Sequence, residues 1–520
     1  MYICGINIGH NPSLALMKDG KIIHYNEERK LFQLKTLSGI PYKCIDEISN
    51  FKIDKVYVTS YDWIKNDLIN LKFYLQHKKM IELEKDVFCL YRPHHAAHLF
   101  KAYVDSGFKK ARVFVLDGRG SKWDDGYEYC SIYDMENQSI TCLLKKLYIG
   151  QKFESNSIQE GLSSNEGIGI NDQTKFEKTK NLHLGRFYAS VSRHFDYDQE
   201  EGKFMGLQSY GNLNENLLEK LNQGIDENDL EKIVVNKDNA HTSQIFFENE
   251  YLDLIKKYKY KNMVFTGGCT LNVVNNFKIK KMFNDCNLYF ESICGDEGNA
   301  IGTAYFHYLS SKQKIKPNNN IYLGNKIKTN KSLLKNETLE HDIKREIIIN
   351  ILNDGEIVGL IQGKAEAGPR ALGNRSLLLD PSLRNAKDKM NTIKKRESFR
   401  PFACSILEEK YKDYFDVKDD DKSPHMMIAP QAKDKIKEVA PSIVHVDGTC
   451  RVQTVNEMDN IELHKILQKF KIPLLMNTSF NLAGYPMVET FEDILFTLRN
   501  SQLKYVYFSD EKKLLVNARK

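Results

Sequence analysis

Asn262-Met-Val-Phe-Thr-Gly-Gly-Cys-Thr-Leu-Asn272 joins an apolar strand, Asn262–Thr266, to a glycine turn that enters the next helix. Glycines at such a junction let backbone N–H groups reach an anionic or nucleotide ligand at a helix N-terminus. The pattern recurs. Leu288–Ile293 reads as a strand, and Gly295-Asp296-Glu297-Gly298-Asn299-Ala300 opens a helix of small residues. Upstream, the strand Arg112–Leu116 is closed by Asp117-Gly118-Arg119-Gly120. An Asp thus stands at a strand end in two places. The repetition predicts an α/β domain that binds a nucleotide at the C-terminal ends of its strands.

At 520 residues the chain is too long for one ordinary core and implies two or more domains. Ser310–Leu334 is rich in Lys and Asn and poor in apolar residues, which makes it the candidate boundary. We divide the chain into residues 1–325 and 326–520. Hydrophobic residues at 41% and charged residues at 28% describe a globular chain rather than a disordered one. The net charge of +6 permits phosphate-bearing ligands without indicating nucleic-acid binding. Ten scattered cysteines with no C-x-x-C pair argue against a zinc ribbon or a disulfide framework. Met1–His10 has no basic flank or long apolar core, and no apolar run reaches membrane-spanning length. A cytoplasmic location is expected.

Arg92-Pro-His-His-Ala-Ala-His98 places His94 and His98 four apart, on one face of any helix that starts after Pro93. Two such imidazoles can hold a metal ion and leave its other positions open. His95 stands where the Glu of H-E-x-x-H would be, so this is not the metalloprotease signature. Taken alone, the pair reads more readily as a surface cluster, or as one packed and hydrogen-bonded histidine. His10 follows the strand Tyr2–Ile8, ahead of a hairpin turned at Asp19-Gly20. Lys203, between Gly202 and Gly206, can approach a phosphate but lacks P-loop spacing. Farther on, Arg370, Arg375, Lys394, Lys395, Arg396 and Arg400 crowd cations among Pro401 and two phenylalanines. A pocket for phosphates calls for that density, although a basic surface would also show it. Arg451 is expected on a strand, and Lys471–Met476 reads as a strand ending in Asn477-Thr478-Ser479-Phe480-Asn481.

Together these stretches resemble a known family, the O-carbamoyltransferases related to nodulation-protein and antibiotic (tobramycin, cephamycin) carbamoyltransferases. The likeness covers nearly the whole chain in matching order. It runs through Gly5–Gly20, Glu27-Glu28, His94–His98, Asp117-Gly118, Gly202–Gly211, Gly267–Asn272 and Asp296–Ala304. It continues through Gly368–Ser376 (GPRALGNRS), Lys395–Phe402, His445–Gln453 (HVDGTCRVQ) and Asn477–Asn481 (NTSFN). The departures include Asn11 for a usual Asp, Arg29-Lys30, Ala365 and Ala367 around Glu366, Gln208-Ser209, and Cys450.

The resemblance implies an α/β chain: an actin/Hsp70-like ATPase-type N-terminal domain and a C-terminal domain like threonylcarbamoyl-AMP synthase (YrdC-like). It implies that the second domain makes carbamoyl-AMP from carbamoyl phosphate and ATP with Mg2+, and that the first passes the carbamoyl group to an acceptor hydroxyl. His94, His98, Asp117 and Asp296 match the family's metal ligands, for Fe2+ with Mn2+ or Zn2+ as alternatives. His10 matches a histidine near the acceptor and is the candidate catalytic base. Lys203, Gly267, Gly268 and Asn272 fall where the adenylate would lie. Arg370, Lys395, Arg400, Arg451, Asn477, Ser479 and Asn481, with Lys35, match the carbamoyl phosphate and ATP pocket. The acceptor is a sugar-like or natural-product hydroxyl, or a hydroxymethylated base in DNA. A homodimer is the family's habit, though no segment shows an interface pattern. Threonylcarbamoyl transfer to tRNA and a non-enzymatic nucleotide-dependent regulator are the competing readings, and the fused second domain argues against the first of these.

Overall fold

The computed structural model describes residues 1–60, 65–90, 92–137, 139–150 and 168–517. The chain forms two compact units. Unit 1 is Met1–Leu31, Thr36–Asn272 and Lys278–Asn320; unit 2 is Phe32–Lys35, Val273–Phe277 and Ile321–Lys520.

Unit 1 is built on two sheets. The first contains β1 (Tyr2–Asn7), β2 (Ser13–Lys18), β3 (Lys21–Glu27), β4 (Lys55–Thr59) and β5 (Val87–Cys89), in the order β3-β2-β1-β4-β5. The β1–β2 and β2–β3 pairs are antiparallel, while β4 and β5 join in parallel. The β2–β3 hairpin turns at Asp19-Gly20, both at positive φ, as the sequence predicts. The second sheet contains β6 (Lys110–Leu116), β7 (Gly126–Glu136), β8 (Ser139–Tyr148), β9 (Lys175–Thr179), β10 (Asn262–Thr266) and β11 (Asn287–Phe290). Its order is β9-β8-β7-β6-β10-β11; the β8–β7 and β7–β6 pairs are antiparallel, β10 and β11 join in parallel, and β9 adds in parallel to β8 at the edge. With β9 set aside as an edge addition, both sheets share one third-second-first-fourth-fifth order. Unit 1 is thus a duplicated α/β arrangement, in accord with the α/β class the sequence predicts.

Two helices, α1 (His94–Ser106) and α3 (Asn299–Ser310), lie between the sheets, α3 against β1 and α1 against β6 and β10. Small residues permit the approach. A Cβ on Gly302 would meet the Ala97 carbonyl oxygen at 1.9 Å, and one on Gly5 would meet the Ala300 carbonyl oxygen at 2.0 Å. The first turn of α1 is thereby set closely against α3, and α3 against β1.

Unit 2 holds an eight-stranded mixed sheet: β12 (Glu337–Glu340), β13 (Val358–Ile361), β14 (Arg375–Leu379), β15 (Ala403–Leu407), β16 (Val452–Val455), β17 (Leu474–Ser479), β18 (Tyr505–Phe508) and β19 (Lys513–Asn517). The order is β12-β19-β18-β13-β14-β17-β15-β16. Leu377 and Leu379 join one core and Leu378 the other; Leu474 and Met476 likewise oppose Leu475. Successive side chains alternate between faces, so a strand covered on both sides reads as a continuous apolar run.

Several boundaries differ from the sequence reading. The glycine-flanked Lys203, to which the sequence assigns no element, lies in α2 (Glu201–Leu207). Arg451 precedes β16 instead of lying on it. The strand before NTSFN begins at Leu474 and carries Asn477 and Ser479 within it, because Pro473 cannot donate to the ladder.

Candidate active site

Three chain segments meet at the strand ends of unit 1. The first turn of α1 supplies His94 and His98, which lie on one face because they are four residues apart. Asp117 is the first residue after β6, and Asp296 opens a 3-10 turn, Asp296–Gly298, after β11. Their ligand atoms all lie within 4.8 Å of one another. His94 Nε2 is 3.0 Å from Asp117 Oδ2 and 3.3 Å from Asp296 Oδ1. His98 Nε2 is 3.5 and 3.6 Å from the same two oxygens. Ligands about 2.0–2.2 Å from a four-coordinate ion are separated by roughly this much. Two imidazole nitrogens and two carboxylate oxygens also suit a borderline divalent cation. The residues therefore fit a metal ion.

The charges lock this set together. Burial disfavours the imidazolium, but the Asp296 and Asp117 carboxylates outweigh it and push His94 up to about 10. His98 is raised by the same carboxylates against its burial. Asp117 and Asp296 are held below the usual carboxylate range despite burial, by these histidines and, for Asp296, by His10. His95, the middle histidine, turns away from the set. Its Nδ1 is 2.6 Å from Ser131 Oγ, and burial pushes it down to about 3.

The glycine turn reaches the same place. Gly267 has φ +87°, and a Cβ there would lie 2.3 Å from the Leu116 carbonyl oxygen, so the turn and the end of β6 are in contact. The next amide, Gly268 N, donates to Asp117 Oδ1 at 3.3 Å, and Gly118 N donates to the same oxygen at 2.8 Å. Asn272 is engaged instead with Gln244, in reciprocal bonds of 3.0 and 3.2 Å. Lys203 pairs with Glu200 at 2.5 Å. His10 Nδ1 faces Asp296 Oδ2 at 3.4 Å. Burial opposes its charged form, but Asp296, Glu297 and Gln199 raise it overall. Gln199 carries no motif and is found only from its place beside His10.

In unit 2 the cations gather. Burial and then Arg370, Arg396 and Arg400 push Arg451 well below its ordinary range. Burial and the neighbouring Arg400 bring Arg396 down to about 9. Arg396 lies over the Phe402 ring at 4.1 Å and donates to the Pro401 carbonyl at 2.7 Å, so the Pro and Phe in the basic stretch shape its seat. Lys395 ends α4 (Ala386–Lys394) in a left-handed conformation and is exposed. Its neighbour Lys394 is the buried one. Its Nζ donates to Ser479 Oγ at 3.1 Å and to Asn481 Oδ1, and burial with Arg396 and Arg400 lowers it well. The structure thus brings Lys394, not Lys395, to Ser479 and Asn481. Asn477 donates to Ser405 Oγ at 2.7 Å and Gln453 Oε1 at 3.2 Å, within the sheet. Arg375 is spent on carbonyls of Gln362, Asn374 and Asn325. Phe32–Lys35 groups with unit 2.

Glu366 escaped the sequence reading. Its Oε1 accepts from the amides of Leu372, Asn374 and Arg375 at 2.6, 2.9 and 3.2 Å, which shapes the GPRALGNRS loop. Its flanking alanines were the visible signal, since small neighbours leave room for the loop to fold over it.

Comparison with known proteins places the chain in a family. Residues 23–254 and 226–305 match the carbamoyltransferase N-terminus, and residues 349–513 match the carbamoyltransferase C-terminus. The chain belongs to the carbamoyltransferase family and is a carbamoyltransferase enzyme. It is similar to the uncharacterised protein MJ1051 of Methanocaldococcus jannaschii, at 30% identity over 96% of each chain. It is also similar to nodulation protein NolO of Bradyrhizobium diazoefficiens, at 28% identity over 79% of this chain and 76% of the relative. Nodulation protein NolNO of Sinorhizobium fredii is 24% identical over 95% of this chain and 77% of the relative. Among the described residues no helix is long and apolar enough to cross a membrane.

Proposed function

We propose that this enzyme is a two-step O-carbamoyltransferase. In unit 2, which we read as YrdC-like, carbamoyl phosphate and water give carbamate and phosphate. The carbamate then attacks the α-phosphorus of Mg-ATP, forming carbamoyl-AMP and expelling pyrophosphate. In unit 1 an acceptor hydroxyl attacks the carbamoyl carbon, and AMP leaves. The observation that carries the reading is the convergence of His94, His98, Asp117 and Asp296 inside the segment matching the carbamoyltransferase N-terminus.

The residues suit the steps. Arg370, Lys394, Arg396, Arg400 and Arg451 offer fixed cations to the phosphates of both donors. The amides at Gly267 and Gly268 offer donors beside Asp117 for the adenylate. His94, His98, Asp117 and Asp296 would hold Fe2+, or Mn2+ or Zn2+; such an ion, when bound, polarises the adenylate phosphate. His10 presents Nδ1 to Asp296, which leaves Nε2 to take the hydroxyl proton. Adenylate is a good leaving group, so modest activation of the acceptor suffices. Asp296, Glu297 and Glu201 lie around His10. That acidic surround favours a neutral or cationic hydroxyl compound over the phosphate backbone of DNA.

The test is phosphate and pyrophosphate release from carbamoyl phosphate plus ATP, without acceptor, under anaerobic iron-supplied conditions. Release is expected; its absence sinks the two-step scheme. A mass-spectrometric screen of acceptors, including duplex bearing hydroxymethylcytosine, then identifies the carbamoylated hydroxyl. Carbamoylated duplex would overturn the small-molecule assignment.

A further inference from the structure

Helix α1 carries two of the four donors, yet its N-cap residue, Pro93, offers no side chain to its first turn. The partners come from the hairpin that follows Asp117. Ser121 Oγ accepts from His94 N at 3.0 Å. Glu128 Oε1 accepts from His95 N at 3.3 Å and from Ser121 N at 3.0 Å. One carboxylate oxygen therefore joins the start of α1 to the backbone four residues beyond Asp117. The hairpin is closed on itself by Gly120 N to the Glu128 carbonyl at 2.6 Å and Glu128 N to the Ser121 carbonyl at 3.1 Å.

Glu128 is fully buried, and its other oxygen pairs with the buried Lys145 and accepts from Trp123 Nε1 at 3.4 Å. Lys145 neutralises the charge, but it does not explain why the carboxylate is aimed at two backbone amides. The positive end of a thirteen-residue helix explains it. A carboxylate there fixes the axial position of α1, and with it the 3.0 Å separation of His94 Nε2 and Asp117 Oδ2.

We infer that Glu128, with Ser121, is a positioning residue for the His94–His98–Asp117–Asp296 centre, tying the helix that bears the histidines to the turn that follows the aspartate. The inference rests on reading that centre as a metal site. Partners of this kind set how well a ligand shell is preorganised, and losing one weakens metal binding about 10- to 100-fold.

The experiment separates the amide contacts from the ion pair. Two double variants of the full chain, Glu128→Gln/Lys145→Met and Glu128→Ala/Lys145→Met, both lack the pair, and only the first keeps an acceptor at the helix start. Each is titrated with Co2+ alone, read by the cobalt absorption band and by competition with a chelator. Thermal unfolding is recorded alongside. Leu221→Ala, a core change elsewhere in unit 1, controls for lost stability. The Gln double variant is expected within about 3-fold of wild-type affinity and the Ala double variant about 10- to 100-fold weaker, with Leu221→Ala unchanged in affinity. Equal affinities for the two double variants, or loss in Leu221→Ala matching its loss of stability, overturn the inference. If the Ala double variant does not fold, Ser121→Ala decides: affinity about 3- to 10-fold weaker is expected, and wild-type affinity overturns it. A wild-type chain that takes up no Co2+ instead refutes the metal reading itself, and the positioning role falls with it.

Discussion

At the strand ends of unit 1 the buried charges alternate in sign, His94 and His98 against Asp117 and Asp296; in unit 2 Arg370, Lys394, Arg396, Arg400 and Arg451 share one sign, with Glu397 3.6 Å from Arg400. The alternating set lowers its own energy, each member favouring the charged form of the next. The like-charged set does the opposite, and the surrounding fold holds it in place against repulsion. A cluster of the first kind is held together by its own attractions. One of the second kind stores repulsion that a bound anion relieves, as a pocket for several phosphates requires.

Replacing a donor breaks the comparison most sharply. His98→Ala should lower transfer to an acceptor by about 10²- to 10³-fold, the scale of losing a catalytic electrostatic contact. Pyrophosphate release in unit 2 should stay within about 3-fold of wild type, and equal loss of both would show that the two clusters do not divide the labour. In unit 2, Lys394→Met should raise the KM for carbamoyl phosphate or ATP by about 100-fold, since hydrogen bonds to charged groups contribute about 1.5–3 kcal/mol. Lys395→Met should leave both KM values within about 2-fold. Steady-state kinetics of pyrophosphate release distinguish the two, and the reverse pattern would restore Lys395 to the pocket.

The pH dependence is smaller. His94 is raised to about 10 in the folded protein. Its contribution to stability is fully present below the ordinary histidine value of about 6.5 and is lost as pH rises through about 10. Asp117 and Asp296 are depressed, so their contribution is present above about pH 3.9 and is lost as pH falls through their lowered folded values. A metal ion requires neutral imidazoles, so its binding expels protons. Affinity for Co2+ should therefore rise with pH between about 6.5 and 10, by up to about tenfold per unit for each proton released. Titrations at successive pH values would refute this if affinity stayed flat. The smallest effect concerns stability alone. Arg451→Met removes one of the crowded cations and should stabilise the ligand-free chain by about 0.5–2 kcal/mol, a few degrees in Tm, while impairing pyrophosphate release. A fall in Tm would mean that Arg451 is compensated.

Much of the site was legible because it is encoded locally. The i, i+4 spacing of His94 and His98 needs only a helix, and strand-then-Asp at Asp117 needs only a turn. Asp296 and Gly267–Gly268 follow the same rule. The glycines beside Lys203 suggested a close approach to a phosphate, whereas the structure sets it in the helix Glu201–Leu207 and pairs it with Glu200. Lys394 and Lys395 are adjacent and chemically alike. Only the end of α4, which turns left-handed at Lys395, sends one inward and leaves the other in solvent.

The sequence by itself determined the α/β class, the family, and which residue types could hold a metal or bind phosphates, because hydrophobic periodicity, glycine turns and motif spacing are properties of neighbouring residues. Tertiary structure alone decided that donors as distant as His94 and Asp296 share a space less than 5 Å across. It also decided that Glu128, with no motif around it, meets the start of α1, and that Glu366 gathers three amides of a loop. Those outcomes depend on pairings between distant strands and helices, where the partner of each polar group is set by packing and not by its position in the chain.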